Sequence, residues 1–192
     1  CSKPVYGITN VTQLETFRDN VNNGNAYTGA TVELLSDVDL SGVSWTPIDG
    51  FAGNFDGHNH KITNMKITNI TGDIGLFDSL YSVTISNLIL QNPTITGTYS
   101  GNGGTINIGC LAGYAKGATI NNVHVRDLVV NVKGSSCWRL AGLIGQVYSV
   151  SGTFEDNFVA SNVSTTGSLA VDTTYTDVTI AGIGSGTISN SF

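Results

Sequence analysis

The residues of this chain best suited to acid–base chemistry lie close together near position 58. His58 and His60 follow Asp56, and imidazole with carboxylate is a common pair for proton transfer. Asp37 and Asp39 could together bind calcium, but no dense Asp repeat accompanies them. Histidine and aspartate in turns more often hydrogen-bond to nearby backbone. We therefore interpret all five side chains as structural.

The chain lacks the other patterns on which enzyme chemistry usually depends. A polysaccharide lyase needs a basic residue beside carboxylate-bound calcium, and a glycosidase needs two carboxylates about 5 to 9.5 Å apart. Carboxylates at equivalent repeat positions are nearly absent, and there is no nucleophile elbow, zinc-protease motif or phosphate-binding glycine loop. We therefore expect no catalytic residues, no cofactor and no metal.

Composition excludes several classes of partner. Of the 192 residues only 11% are charged, 24 are glycine, and the formal net charge is −6 with no basic stripe. Nucleic acid is therefore a poor candidate partner. Apolar runs such as residues 128–130 are far shorter than the roughly 20 residues that span a bilayer, so we expect no membrane-spanning segment.

Two short sequence elements repeat along the chain. In the first, Asn or Asp stands two positions after an apolar anchor, and the anchors are spaced by 23, 35, 34 and 34 residues. The anchors are Ile62, Ile85, Ile120, Phe154 and Ile188. The second element, an apolar stretch flanked by glycine, precedes four of these copies at 74–77, 109–113, 141–145 and 181–184. The β-branched residues and glycines favour strands and turns over helices.

These repeats predict an all-β fold, a right-handed parallel β-helix in which each strand lies over its equivalent one turn away. Like residues then stack, and corner amides hydrogen-bond to the neighbouring turn. The predicted structural ladder consists of Asn64, Asn87, Asn122, Asp156 and Asn190.

The N-terminal segment is predicted to close one end of this structure. Thr12 and Glu15 have the spacing of a capping box, and Leu14, Phe17 and Val21 follow at helical spacing. We therefore assign residues 1–30 to an N-terminal segment with a short capping helix, and residues 31–192 to the coils of a single domain.

The chain resembles the GLUG-motif repeat proteins of bacteria. The resemblance is carried by WTPI (45–48), FAGNFDG (51–57), HKI (60–62) and the glycine-flanked strands LAG (111–113) and LIG (143–145). Asp49, His58 and Asp78 depart from the usual pattern. The resemblance implies a parallel β-helix at the cell surface, in adhesins or in non-catalytic regions of immunoglobulin-cleaving peptidases, and it implies no catalytic residues.

Binding is predicted at side loops. The longer repeats place extra residues at 97–104, 133–139 and 167–176, and equivalent insertions emerge on one side of a repeat structure. Aromatic rings there could stack on sugars or anchor a protein. The candidate binding residues are Tyr99, Trp138, Arg139 and Tyr175.

The chain ends raise two further hypotheses. Cys1 fits either a lipid-attachment site of a processed lipoprotein or the start of an excised fragment. The last repeat, at Ile188, has no polar cap after it, so self-association end to end is an alternative to a longer chain.

We therefore expect an extracellular or cell-surface adhesion module that binds a host or environmental glycan or a surface protein. A polysaccharide-active lyase or glycoside hydrolase, and a self-assembling fibre subunit, are the alternatives.

Overall fold

The protein is mostly β-strand with one short helix. The computed structural model describes residues 2–99, 101, 104–134, 137–148, 150–160, 164–165, 169–171 and 187–190. In chain order the elements are β1 (Val5–Ile8), α1 (Val11–Asn22), β2 (Thr31–Leu34), β3 (Val38–Asp39), β4 (Asn54–Asp56), β5 (Lys61–Thr63), β6 (Lys66–Ile67), β7 (Phe77–Tyr81), β8 (Thr84–Gln91), β9 (Thr94–Tyr99), β10 (Thr105–Ile108), β11 (Ala112–Lys116), β12 (Thr119–Gly134), β13 (Cys137–Leu140), β14 (Ile144–Tyr148), β15 (Ser151–Ala160), β16 (Ser164–Thr165), β17 (Leu169–Val171) and β18 (Thr187–Asn190).

Helix α1 forms because its apolar residues recur at helical spacing and its first turn is capped. Leu14, Phe17 and Val21 are buried on one face and join the apolar core. These are the residues that the periodicity predicts. The helix ends at Asn22, and the backbone N–H of Asn23 donates to the carbonyl of Asp19. The helix therefore covers one end of the core with its apolar face.

The capping box predicted at Thr12 and Glu15 is wrong. The N-cap is Asn10, whose side-chain oxygen accepts from the backbone N–H of Gln13 at 2.9 Å. The Gln13 side chain in turn accepts from the backbone N–H of Thr9 at 2.7 Å. The helix starts two residues earlier than predicted because Asn is at least as good an N-cap as Thr, and because the Gln13 side chain holds the residue before this cap.

Three sheets are built from strands that the chain visits in a fixed order. Among the described residues the large sheet has twelve strands, and the other two have three each, β10-β13-β17 and β14-β11-β7. From β9 onward the chain runs from the large sheet to β10, then β11, back to β12, and then to β13, β14 and β15. The large sheet begins with β1, which pairs with β2 and lies within the segment 1–30 that the sequence assigns to the cap.

Equivalent residues lie opposite one another along this path. Ile85 is opposite Ile120 in the parallel pair β8–β12, as the repeat predicts. The partner predicted for Ile85 in the preceding turn is wrong, because Ile62 lies opposite Leu90 and Phe55 lies opposite Ile85. The first turn is therefore longer than the 23-residue spacing indicates, since Ile62 belongs to a different strand of its turn.

The predicted stacking also fails after β12. Phe154 lies opposite Val123 rather than Ile120, because Ile120 already faces Gly152 and the register then shifts by one more residue between Asn121 and Val123. Strand β18 pairs antiparallel with β15, placing Ile188 opposite Phe158, whereas the repeat predicts a parallel pair. The bulge in β12 has no counterpart in β15, so the equivalences read from the sequence do not extend into it.

Candidate functional site

Two of the predicted ladder asparagines form a continuous hydrogen-bonded corner. The side-chain amide of Asn122 donates to Asn87 Oδ1 at 3.0 Å, and that of Asn87 donates to Asp56 Oδ1 at 3.0 Å. Both asparagines have positive φ, 54° and 52°. Asn tolerates this left-handed conformation better than most residues. Asn122 also donates to Asn59 Oδ1 at 3.0 Å, so the corner connects residues of β4, β8 and β12 and the segment after β4. We call Asp56, Asn87 and Asn122 the asparagine corner.

Asn64 lies at a second corner of the large sheet. Its neighbour Thr63 is opposite Gln91, which places Asn64 level with Asn92 rather than with Asn87. Asn64 and Asn92 have positive φ, 58° and 54°. The Asn64 amide donates to Asp39 Oδ1 at 2.9 Å, and this bond, followed by bonds from Ser41, lowers the pKa of Asp39 to about 2.

Asp156 and Asn190 do not occupy the predicted ladder positions. Asp156 lies opposite Val125 on β12 and opposite Asn190 on the antiparallel strand β18. The register of β12 and β15 skips Asn122, since Asn121 faces Thr153 and Val123 faces Phe154. The expected equivalence is therefore wrong because β15 passes this corner without the extra residue that β8 and β12 contain.

The predicted binding residues do not share one loop. Tyr99 ends β9 in the large sheet and packs partly buried against the core. Trp138 and Arg139 lie within strand β13, opposite Ile106 and Asn107, rather than in a loop insertion. Tyr175 and Cys1 lie outside the described residues. The extra residues of the longer repeats are predicted as loops, but those at 97–99 belong to β9, those at 137–139 to β13 and those at 169–171 to β17.

The two histidines near Asp56 are not paired with its side chain. His58 Nε2 lies 3.5 Å from Glu33, and His60 Nδ1 lies 3.1 Å from Asp37. Asp56 accepts instead from the backbone N–H of His58 at 2.9 Å. These contacts fit the structural interpretation given by the sequence. Among the described residues no three His, Cys, Asp or Glu side chains are grouped to hold a metal ion.

Where the two small sheets meet, glycine allows very close backbone packing. A Cβ on Gly109 would lie 2.5 Å from the carbonyl oxygens of Ala112 and Leu143. A Cβ on Gly113 would lie 2.5 Å from the backbone nitrogen of Ile74, and one on Gly145 the same distance from Ile108. No side chain fits at such distances, so the repeated glycines are packing residues. We call Gly109, Gly113 and Gly145 the glycine corner.

Two aspartates replace glycine at this corner in earlier turns. Phe77 lies opposite Ala112 on one side and forms an isolated parallel β-bridge with Ile48 on the other. Asp78 and Asp49 each follow one residue later, so both are in register with Gly113. Together with Asp73 they line a cleft of about 260 Å³ that also contains Asn22 and Thr71. In the sequence, Asp49 and Asp78 depart from the usual repeat pattern. This departure is the signal from which the cleft could have been predicted.

Burial in the cleft raises the pKa of Asp73 and of Asp78. Burial, followed by the charges of Asp73 and Asp49, raises the pKa of Asp78 to about 6. Burial also raises the pKa of Asp73, although hydrogen bonding by Asn107 and the charge of Arg139 oppose this effect. Asp78 is therefore partly protonated near neutral pH and can donate as well as accept a hydrogen bond.

A row of polar side chains leads away from the cleft across the two small sheets. Asn107 is almost fully buried and donates to Asp73 Oδ1 at 2.6 Å. Arg139 Nη1 lies 3.5 Å from Asn107 Oδ1 and donates to Gln146 Oε1 at 2.8 Å. Gln146 Nε2 donates to the hydroxyl oxygen of Tyr148 at 3.1 Å. The row connects the acidic cleft to the outer face of the sheet β7-β11-β14.

That outer face carries a line of tyrosines which sequence reasoning missed. The Tyr81 and Tyr114 ring centroids are 5.6 Å apart, and those of Tyr114 and Tyr148 are 5.8 Å apart. Burial and then these two neighbours raise the pKa of Tyr114. Lys116 lies opposite both Tyr81 and Tyr148. The outward residues, which we call the tyrosine face, are Ser79, Tyr81, Tyr114, Lys116, Gln146 and Tyr148.

The sequence contains a signal for this face. Tyr114 follows Gly113 directly, and Tyr148 stands three positions after the equivalent Gly145. Strand alternation from those glycines would place Tyr114 and Tyr148 outward on adjacent strands.

No helix within the described part of the chain is long and apolar enough to cross a membrane.

Comparison with known proteins finds similarity to small parts of much longer chains. No family model matches. The chain is 32% identical over 136 residues to an immunoglobulin A1 protease of Streptococcus sanguinis, covering 66% of this chain and 6% of that protein. It is 31% identical over 143 residues to halomucin of Haloquadratum walsbyi, covering 65% of this chain and 1% of that protein. A crystal structure of a candidate immunoglobulin A1 protease from Bacteroides ovatus matches with a TM-score of 0.48 and 16% identity, covering 88% of this chain and 64% of that one. The chain thus spans only a small fraction of the length of the first two relatives.

Proposed function

We propose that the chain is a right-handed parallel β-helix built from GLUG-type repeats. The fixed order in which the chain visits three sheets, with parallel pairing in register from β2 to β14, supports this architecture. The glycine corner supports the repeat assignment, because the residues that recur in the sequence are those whose side chains would collide with backbone. A repeat of this kind is a packing device and needs no catalytic group.

The module is secreted and functions in adhesion at the cell surface, where it binds a glycan or a surface protein. The observation that carries this proposal is the tyrosine face, an array of aromatic side chains on the outside of a sheet. Its end members Tyr81 and Tyr148 are 57% and 49% exposed, whereas aromatic side chains without a partner are normally more buried. Similarity to 6% and 1% of two long proteins supports a module within a larger chain.

A binding screen tests the proposed function. The purified chain is labelled and applied to a glycan array and to intact epithelial and bacterial cells, and bound protein is quantified with and without competing glycan. We expect saturable binding to at least one glycan or cell surface. Absence of saturable binding to every glycan and cell type would contradict an adhesive function.

A polysaccharide-active enzyme is the second candidate, and one observation favours it. Asp78, whose pKa is raised to about 6, shares the cleft with Asp49 and Asp73, and a glycosidase uses one protonated and one ionised carboxyl group. Incubation of the chain with the polysaccharides that it binds, followed by measurement of new reducing ends, tests this candidate. We expect binding without product. Product formation that disappears in Asp78→Asn but persists in Asp39→Asn would instead establish the enzyme.

A further inference from the structure

We propose that the tyrosine face is a binding site for an uncharged glycan chain, with its sugar rings seated along Tyr81, Tyr114 and Tyr148. This inference rests on the proposed adhesive function and specifies its ligand and its site. Of the binding residues that the sequence indicates, Arg139 takes part here through its hydrogen bond to Gln146.

The geometry of the rings suits a row of sugars. The three tyrosines come from adjacent parallel strands, and neighbouring ring planes are inclined by 41° and 46°. Because the rings are tilted and do not lie flat on each other, part of each ring face remains open between neighbours. Tyr114 reaches diagonally between the other two, since its direct neighbours in the sheet are Ser79 and Gln146. The face therefore offers a repeated apolar surface along the direction in which strands stack.

Polar groups next to the rings can hydrogen-bond to sugar hydroxyls. Gln146 already accepts from Arg139 and donates to Tyr148, so its orientation is fixed before a ligand arrives. The Tyr148 hydroxyl accepts that bond and keeps its own proton to donate outward. The exposed Lys116 is placed between the end tyrosines and provides a further donor. A few oriented polar groups beside an aromatic surface give specificity in ligand sites.

Charge selects a neutral ligand over an acidic one. The chain carries a formal net charge of −6, and the acidic cleft with Asp49, Asp73 and Asp78 adjoins the polar row that ends at Tyr148. The charge of Arg139 acts on Asp73, where it opposes the rise in pKa that burial causes, so this carboxyl group offsets the Arg139 charge locally. Among the described residues of the tyrosine face, Lys116 is then the one cation. A polyanion would be repelled by the surrounding carboxylates, whereas hydroxyl groups can donate to them.

The site is tested with matched variants of the whole chain. Tyr81→Ala/Tyr148→Ala removes the two exposed rings, and Tyr81→Phe/Tyr148→Phe keeps the rings without the hydroxyls. Tyr6→Ala is the control, because Tyr6 is 48% exposed but lies on β1, outside the tyrosine face. Circular dichroism and thermal unfolding establish that each variant is folded. The probes are the neutral glycans of the array and homogalacturonan as its full methyl ester and as its free acid.

We expect the wild-type chain to bind at least one neutral glycan, and to prefer the methyl ester if it binds homogalacturonan. The double alanine variant should lose about ten-fold in affinity, the double phenylalanine variant should lose less, and Tyr6→Ala should bind as wild type. Glycan binding that is unchanged in the folded alanine variant would overturn this site while leaving the adhesive function intact. A preference for the free acid would overturn the uncharged ligand. Failure of the wild-type chain to bind any glycan overturns the inference, and failure on cells as well overturns the adhesive function itself.

Discussion

The asparagine corner and the glycine corner turn the same chain by opposite means. Asn87 and Asn122 adopt positive φ and use their side chains to connect successive turns. Gly109 and Gly113 dispense with side chains, so that backbone from neighbouring turns approaches to distances at which no Cβ fits. One corner is held by side-chain hydrogen bonds and the other by backbone contact. The glycine corner should therefore be far less tolerant of added atoms, and the asparagine corner more sensitive to the loss of polar ones.

The largest expected effect comes from Gly113→Ala. The new Cβ would lie 2.5 Å from the Ile74 nitrogen and 2.6 Å from the Asp73 Cβ, so backbone must move. We expect the free energy of unfolding to fall by about 3 kcal/mol or more. Chemical denaturation measures the change. The control is Gly72→Ala, which has φ of +102° but nothing within 4 Å of the new Cβ, and should cost only about 1 kcal/mol. A loss for Gly113→Ala that is no larger than the loss for Gly72→Ala would contradict close packing as the reason for the glycine corner.

A medium effect is expected from Asn87→Ala. The variant loses the hydrogen bond to Asp56, leaves Asn122 without the Asn87 oxygen, and places alanine at φ of 52°. We expect a loss of about 2 kcal/mol, and a loss of about 1 kcal/mol for Asn87→Gly, which removes the amide but relieves the φ strain. Thermal and chemical unfolding compare the two. If glycine were as costly as alanine, the left-handed conformation would contribute nothing at this corner.

The smallest effect concerns the aspartate that stands in place of a corner glycine. The folded-state pKa of Asp78 is about 6, above the ordinary 3.8, so the folded state favours the protonated acid. The stability that the raised pKa of Asp78 contributes is therefore fully present below about pH 4, and it is lost as pH rises through 6. We expect Asp78→Asn to be more stable than wild type by about 1 kcal/mol at pH 7, after allowance for partial solvent exposure, with the difference vanishing near pH 4. Urea denaturation at several pH values measures this difference, and a constant difference across that range would contradict the raised pKa.

The sequence predicts the strand pairing correctly where successive repeats contain the same strands. Ile85 and Ile120 are opposite one another, and the buried face of α1 follows its periodicity, because apolar spacing determines both. The first turn was misaligned for a physical reason. Asn64 follows β5 and Asn87 lies within β8, and both adopt positive φ, but they form different corners of the large sheet. Because the same local motif changes the chain direction at both corners, the motif alone does not show at which corner it lies.

The tyrosine face escaped prediction because binding was expected at the extra residues of the longer repeats, whereas the three rings lie on β7, β11 and β14. Among the extra residues, Trp138 and Arg139 lie in strand β13 of a sheet. Whether the rings of adjacent strands meet depends on register, which a count of residues between anchors does not give. The acidic cleft was likewise hidden, since Asp49 and Asp78 are 29 positions apart in the sequence and meet only through the pairing of their strands.

The tyrosines are supplied by successive strands, one ring from each of β7, β11 and β14. A polymer that follows the stack can engage several contacts at once, whereas a single sugar engages only one, so avidity grows with the number of strands that carry a ring. Lengthening the array by further repeats would then tighten attachment to long polysaccharides without any change in affinity for a monosaccharide.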